Sequence, residues 1–114
     1  MDIEFFRDYC LKKKGVTEEL PFDESTLVFK VLGKMFALCN LDNFESTNLK
    51  CDPDYSEELR EQYNGVTPGY HMNKKHWNTV YFEDDVEDKL LLSLIDHSYE
   101  MVVKGLPKKS REQL

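Results

Sequence analysis

The sequence predicts a single α+β domain, residues 1–114, in which helices pack on one face of an antiparallel sheet. Segments with apolar residues at helical spacing are separated by short segments rich in β-branched and aromatic residues. The predicted order is α-β3-α-β2-α, and strands joined by short turns pair in the antiparallel sense. With 114 residues, 40% of them hydrophobic, the chain can bury one core of its own.

The first helix is expected over residues 3–14. Asp2 is a suitable N-cap, and Gly15 suits the position that follows a helix C-terminus. Lysines occupy positions 12, 13 and 14, where cations interact favourably with the helix dipole. We interpret this run as a solvated helix end rather than a nucleic-acid contact. Residues 16–25, which contain Pro21 and four acidic residues, are expected to form a connector.

Three strands are expected next, at residues 26–32, 35–39 and 47–51. The first is rich in β-branched and aromatic residues, and a two-residue turn at Gly33-Lys34 leads into the second. The second is apolar on both faces, which predicts a central position in the sheet. The third alternates apolar and polar residues, as a strand with one exposed face does.

The second half of the chain predicts a helix, a hairpin and a final helix. Asp52 and Pro53 form a helix start, and the second helix is expected to end near Gly65. Residues 70–72 and 76–82 are expected to form a hairpin with a polar turn between them. Asp85 is the expected N-cap of the last helix, and the basic tail after Pro107 could continue as a short helix.

The charge distribution is uneven. The formal net charge is −7, with 22 acidic and 15 basic residues, which counts against strong nonspecific DNA binding. Basic residues nevertheless cluster at 12–14, 74–75 and 104–111, and acidic residues cluster at 83–88. An acidic protein can still present a basic face if the fold brings such clusters together.

The chain carries no sign of export or membrane insertion. No apolar run approaches the roughly 18 residues of a membrane span, and the N-terminus lacks the features of a signal peptide. The three cysteines, Cys10, Cys39 and Cys51, form no close-spaced pair, which favours reduced thiols over a disulfide framework. These features predict a cytoplasmic protein.

Residues 67–80, TPGYHMNKKHWNTV, resemble the signature of the MmcQ/YjbR family of small bacterial proteins. Residues 6–10, 48–53, 96–99 and 104–107 also resemble that family, so the resemblance covers essentially the whole chain. It implies an α+β fold similar to the secretion-chaperone-like folds, in agreement with the predicted element order. It also implies DNA binding through a winged arrangement of the hairpins, and it implies no catalytic activity or cofactor.

The DNA-binding hypothesis centres on the turn of the second hairpin. Lysines there would contact phosphates, while amide and imidazole groups would hydrogen-bond to base edges or the backbone. The basic tail would extend the footprint. The candidate nucleic-acid-binding residues are Asn73, Lys74, Lys75, His76, Asn78, Lys108 and Lys109. The competing interpretation is that a Lys-Lys turn simply keeps a hairpin soluble.

Three other kinds of site compete with a DNA-binding surface: a metal site, an enzyme active site and a protein-interaction surface. His71 and His76 lack the tight ligand spacing of zinc sites, so no metal or cofactor is expected. No motif of nucleophilic or phosphate-handling catalysis is present, so no enzymatic activity is expected. A protein-interaction module, chaperone-like or adaptor, is the main alternative, with His71 and Trp77 as candidate contacts. The expected partner is double-stranded DNA or another protein, without a membrane, and the protein itself is a monomer or weak dimer.

Overall fold

The computed structural model describes residues 1–114 and contains four helices and six strands. The helices are α1 (Ile3–Leu11), α2 (Pro53–Gln62), α3 (Asp88–Lys104) and α4 (Lys108–Arg111). The strands are β1 (Val16–Glu19), β2 (Thr26–Val31), β3 (Lys34–Asn40), β4 (Ser46–Lys50), β5 (Val66–Pro68) and β6 (Trp77–Tyr81). The longest helix, α3, has 17 residues, and no helix has both the length and the apolar character needed to cross a membrane.

All six strands form one antiparallel sheet in the order β1-β2-β3-β4-β6-β5, which confirms the predicted α+β class. The sheet has one strand more than predicted, because the expected connector contains β1. Within β1 only Val16 is apolar, so the sequence of this strand did not predict a strand. Pairing to β2 creates the strand, and ion pairs of Glu18 with Arg7 and Glu19 with Lys30 hold it at the sheet edge.

The predicted positions of one turn and one helix cap were wrong. The β2–β3 turn centres on Leu32 and Gly33, both with positive φ, and not on Gly33-Lys34. Two positive φ values match the type of two-residue turn that follows the natural twist of a hairpin. Asp85 does not cap α3, whose N-cap is Glu87. Instead the Asp85 carboxylate accepts hydrogen bonds from the N–H groups of Asn64 and Gly65, each at 2.8 Å, and so anchors the start of β5.

Helices α1 and α3 cover one face of the sheet and enclose the core. Phe6 of α1 is fully buried and its ring meets the rings of Phe29 and Phe44 edge-on. Ser98 of α3 is also fully buried: its hydroxyl donates to Phe36 O at 2.5 Å and accepts from Lys50 N at 2.8 Å. This bridge satisfies two backbone groups where β3 and β4 diverge, so it joins the helix layer to the sheet.

Candidate functional site

The loop between β5 and β6, residues 69–76, folds into two consecutive turns. Met72 N donates to Gly69 O at 3.3 Å, and Trp77 N donates to Asn73 O at 2.9 Å. Gly69 N donates to Trp77 O at 2.8 Å and closes the base of the loop. A Cβ on Gly69 would lie 2.9 Å from the Trp77 Cβ, so only glycine fits there.

The predicted hairpin is therefore shorter and displaced. Its first strand is β5, Val66–Pro68, and not residues 70–72. Pro68 is the last residue of β5, and the chain turns away from β6 after Gly69, whose N–H still donates to Trp77 O. The lysine pair consequently lies on a compact loop rather than at the tip of a projecting wing.

Arg60 of α2 holds this loop against the sheet. Its guanidinium donates from Nε to Asn78 Oδ1 at 2.8 Å, and from one terminal nitrogen to Lys74 O at 2.6 Å and Trp77 O at 3.3 Å. Asn78 Nδ2 in turn donates to Ser56 Oγ at 3.2 Å. A planar group with several fixed donors suits this bridging role. Sequence reasoning missed Arg60, because only tertiary contact connects it to the loop.

The burial of Asn78 contradicts its predicted role. The residue is 2% exposed, and both ends of its amide are engaged inside the protein. It therefore cannot reach a base edge in this conformation. The reason is its place on β6, where it pairs with Leu49 on the face covered by the helices.

The other loop candidates reach the surface. Asn73, Lys74 and Lys75 are exposed, whereas His76 and Trp77 are half-buried. Lys74 Nζ donates to Gly69 O at 3.2 Å, and Lys75 forms no ion pair. Phosphate contact is therefore geometrically open to both lysines.

The strand directions place most of the basic residues at one end of the sheet. We call this the basic end: β1, β3 and β6 begin there, and β2, β4 and β5 finish there. Ten of the fifteen lysines and arginines lie at this end or on the helix termini beside it: Lys12, Lys14, Lys34, Lys50, Lys74, Lys75, Lys104, Lys108, Lys109 and Arg111. Acidic residues in the same segments include Asp52, Asp54 and Glu112.

The opposite end of the sheet, the acidic end, has the reverse charge. The connections there, residues 20–25, 41–45 and 82–87, contain eight acidic residues and no lysine or arginine. The acidic residues are Asp23, Glu24, Asp42, Glu45, Glu83, Asp84, Asp85 and Glu87. The two ends of the sheet therefore carry opposite charge. The net charge of −7 does not show this separation.

Two of the three predicted basic clusters, residues 104–111 and 74–75, lie at opposite edges of the basic end. Helix α4, with Lys108 and Lys109, leads into Leu114, whose side chain packs near Gly15 and whose O accepts from Lys14 Nζ at 3.1 Å. This places α4 beside β1. The loop with Lys74 lies beside β5, and five strand spacings separate the two edges. At about 4.8 Å per spacing, the edges are roughly 24 Å apart.

The second face of the sheet has no helix over it and forms a groove of about 630 Å³. We call it the open-face groove. Its floor includes Leu38, Asn48 and Thr79, and its walls are the Phe22-Asp23 segment and the turn at residues 70–72. Phe22, Tyr70 and Tyr81 are its exposed aromatic residues, at 65%, 68% and 39% exposure.

A strained turn forms one wall of the open-face groove. His71 has φ of 59°, a left-handed conformation that non-glycine residues adopt rarely and at a cost. The turn is held down by Tyr70 N, which donates to Thr79 Oγ1 at 3.0 Å, while Thr79 Oγ1 donates to Asn48 Oδ1 at 2.6 Å. His71 therefore belongs to this groove rather than to the lysine pair.

The remaining reactive side chains are used internally. His97 Nε2 accepts from Asp52 N at 3.1 Å and its ring meets Tyr55 edge-on, as a packing residue would. Burial raises the pKa of the Cys39 thiol to about 12, and burial also raises the pKa of Cys10 and of Cys51. All three cysteines are buried and unbridged, so they stay protonated thiols at neutral pH.

The Tyr9 hydroxyl on α1 donates to both carboxylate oxygens of Asp96 on α3, at 2.8 and 3.0 Å. Burial, reinforced by this carboxylate, raises the pKa of Tyr9 to about 12. Lys13 pairs with the same carboxylate. These contacts pin the two helices together, and no group of three His, Cys, Asp or Glu side chains is arranged to hold a metal.

A family model named YjbR matches residues 11–101 of this chain. The chain belongs to the YjbR family. The uncharacterised YjbR protein of Escherichia coli (strain K12) is 34% identical over the whole of this chain and 98% of its own length. The uncharacterised YbdF protein of Escherichia coli O157:H7 is 41% identical over 82% of this chain and 78% of its own length.

Two solved structures share the YjbR fold. The crystal structure of a Deinococcus radiodurans protein with a DUF419 domain superposes with a TM-score of 0.90 at 40% identity, covering 97% of this chain and 86% of that one. A Pseudomonas syringae crystal structure superposes with a TM-score of 0.74 at 30% identity, covering 89% and 98%. The YjbR family and its α+β fold are thus established for this protein.

Proposed function

We propose that the protein is a non-enzymatic DNA-binding member of the YjbR family that contacts duplex DNA through its basic end. The observation that carries this proposal is the concentration of ten of the fifteen basic residues there, in a chain whose net charge is −7. Cations on one face attract phosphates, and the acidic end repels them, so the charge distribution orients the protein toward the duplex.

The dimensions of the basic end suit a duplex. Lys14 and α4 lie at one edge, Lys74 and Lys75 lie at the other, and Lys34 and Lys50 lie at strand ends between them. The span of roughly 24 Å corresponds to about seven base pairs. Lysine ammonium groups act as point charges on phosphates and read no sequence, so the proposed binding is backbone-directed.

The β5–β6 loop supplies one edge of the proposed footprint. Lys74 and Lys75 are the phosphate contacts, and Asn73 and His76 are the neighbouring hydrogen-bonding groups. Arg60 acts as a positioning residue, because its guanidinium donates to the carbonyl of Lys74. The protein would act as a monomer or weak dimer in the cytoplasm.

Fluorescence anisotropy with a labelled mixed-sequence duplex of about 15 base pairs, twice the estimated footprint, tests the proposal. Affinity is measured from about 50 to 200 mM salt for the wild type, Lys74→Ala/Lys75→Ala and Lys108→Ala/Lys109→Ala. Each double variant removes two phosphate contacts, so each lowers the magnitude of the salt slope by about 1.8.

Lys89→Ala is the matched control, since Lys89 is an exposed lysine on the first turn of α3, away from the basic end. Its slope should equal that of the wild type. No binding of the wild type at low salt would contradict the proposal. Equal losses in Lys89→Ala would contradict the assignment to the basic end, and the protein-interaction alternative would then lead.

A further inference from the structure

We propose that the open-face groove binds an extended peptide segment of a partner protein that combines apolar side chains with lysine or arginine. The groove runs along the open face from Asp23, Asn43 and Glu45 at the acidic end to the turn at residues 70–72 at the other end, and no lysine or arginine lines it. This inference therefore does not rest on DNA binding, and either proposal can fail without the other.

The exposed apolar surface favours a bound chain. The protein has six large hydrophobic residues that are clearly exposed, and three of them, Phe22, Tyr70 and Tyr81, line this one groove. Aromatic residues that remain exposed around a shared depression are typical of recognition surfaces, because each offers a large contact area at low entropic cost. Apolar side chains of the peptide would pack against these rings and against Leu38.

The charges in the groove select the class of peptide. Its only charged lining residues are Asp23 and Glu45, both acidic. Asp42 lies on the neighbouring connection and adds a third carboxylate at this end. A lysine or arginine in the peptide would meet a negative potential, whereas an acidic peptide would be repelled.

Unused amide groups favour a peptide main chain over a purely apolar ligand. Asn40 uses Oδ1 to accept from Asp42 N and Asn43 N, which leaves its Nδ2 group free. The side-chain amide of Asn43 makes no hydrogen bond within the protein, and it lines the same groove. Side-chain amides offer both donors and an acceptor, which match the N–H and C=O groups of an extended chain.

The His71 turn gives the groove a preformed wall. The left-handed conformation at His71 is maintained by the bonds from Tyr70 N to Thr79 and from Thr79 to Asn48. A strained residue held in place by its surroundings is a feature of binding sites, since a fixed wall lowers the ordering cost of association.

The test uses three short fluorescent peptides of equal length. The first alternates Phe and Leu with Lys, the second has Glu in place of Lys, and the third has Ser in place of Phe and Leu. Binding is measured by anisotropy, and the site is mapped by backbone amide NMR shifts. The first peptide should bind about tenfold more tightly than either of the others, a difference of about 1.4 kcal/mol.

The variant Phe22→Ala/Tyr70→Ala should lose about tenfold in affinity for the first peptide. Phe5→Ala is the matched control, because Phe5 is an aromatic residue that is 52% exposed and lies outside the groove. Shift changes confined to the groove, for example at Met35, Asn43 and Tyr81, would support the proposal. Both variants truncate exposed side chains, so folding should be preserved, and circular dichroism checks it.

Four outcomes of the peptide experiments would overturn the proposal. These are equal affinity for the lysine and glutamate peptides, an equal loss in Phe5→Ala, shift changes away from the groove, and no binding at about 1 mM peptide. Self-association in sedimentation that disappears in Phe22→Ala/Tyr70→Ala would also overturn it, because a second copy of the chain would then occupy the groove.

Discussion

Arg60 and Asn78 are joined by a hydrogen bond of 2.8 Å from the guanidinium Nε to the amide Oδ1, and this bond ties α2 to β6, the strand next to the edge strand β5. The same guanidinium reaches the carbonyls of Lys74 and Trp77, so one side chain sets both the position of the β5–β6 loop and the packing of α2. The loop that carries the lysine pair is therefore positioned from within the protein.

Asn78→Ala should lower the free energy of unfolding by about 2–3 kcal/mol, because it leaves the guanidinium of Arg60 without its buried acceptor. Urea unfolding of Asn78→Ala, Arg60→Ala and the double variant gives the coupling energy, which we expect to be about 1–3 kcal/mol. Thr67→Ala serves as the control, since Thr67 is a half-buried residue on the neighbouring strand β5 whose side chain makes no hydrogen bond. Strict additivity of the two single variants would contradict the coupling.

Ser98→Ala should destabilise the protein by about 2–4 kcal/mol, because it removes the partner of two buried backbone groups, Phe36 O and Lys50 N. Ser93→Ala on the same helix is the control, since the Ser93 hydroxyl is exposed and donates only to Leu90 O. We expect a change within about 0.5 kcal/mol for that variant. Similar losses of stability in the two variants would show that the buried bridge of Ser98 stabilises the protein no more than the exposed hydroxyl of Ser93 does.

His71→Gly should stabilise the protein by about 0.5–1 kcal/mol. Relief of the left-handed conformation raises the free energy of unfolding by roughly 1–2 kcal/mol. The greater freedom of glycine in the unfolded chain lowers it by about 0.5–1 kcal/mol. Thermal unfolding measures the change. Tyr70→Gly is the control, because Tyr70 has no positive φ, so glycine there relieves no left-handed conformation while it adds unfolded-state freedom and removes the ring that packs against His71. If His71→Gly were as destabilising as Tyr70→Gly, the conformation at His71 would not be costly.

His71→Gly should also weaken the proposed peptide binding, since it makes the wall of the groove more mobile. Stability and affinity would then move in opposite directions in one variant, as expected of strain stored at a binding site.

Acid should destabilise the protein through hydrogen-bonded carboxylates. The hydrogen bond from Gly65 N–H lowers the pKa of Asp85 below its ordinary 3.8, and the hydrogen bond from Arg7 lowers the pKa of Glu18 below its ordinary 4.5. Each folded-state pKa lies below the unfolded value. The stabilisation that these two carboxylates contribute is therefore complete above pH 4.5. It is lost as the pH falls through their lowered folded-state pKa values.

Asp85→Asn should make the fall in melting temperature on acidification shallower than in the wild type. Glu83→Gln is the control, because it removes one charge from the same connection without removing a hydrogen-bond acceptor. Parallel acid profiles for the wild type and Asp85→Asn would contradict the assigned role of Asp85.

The sequence patterns predicted most of the fold because they reflect burial that repeats along the chain. The helical spacing in α1 and α3 and the apolar strands β2 and β3 follow directly from the core that they enclose. Strand β1 escaped prediction because its stability comes from pairing with β2 and from the contacts of Glu18 and Glu19, which composition does not report.

The candidate site was only partly predictable. Its composition singled out the segment at residues 67–80, but the fold separates the side chains of this segment into three environments. Lys74 and Lys75 face solvent, Asn78 is buried beneath Arg60, and His71 turns toward the open face of the sheet. Period-two alternation assigned Asn78 to one face of a strand, and it could not say that helices cover that face.

The sequence by itself determined the class of fold, the family and the local charge clusters, because these depend on the order and type of neighbouring residues. The tertiary structure decided how the clusters combine. Antiparallel strands return to the same two ends of the sheet, so lysines far apart in sequence collect at one end and carboxylates at the other. The helices cover one face only, and that asymmetry leaves the groove between Phe22 and Tyr70 open.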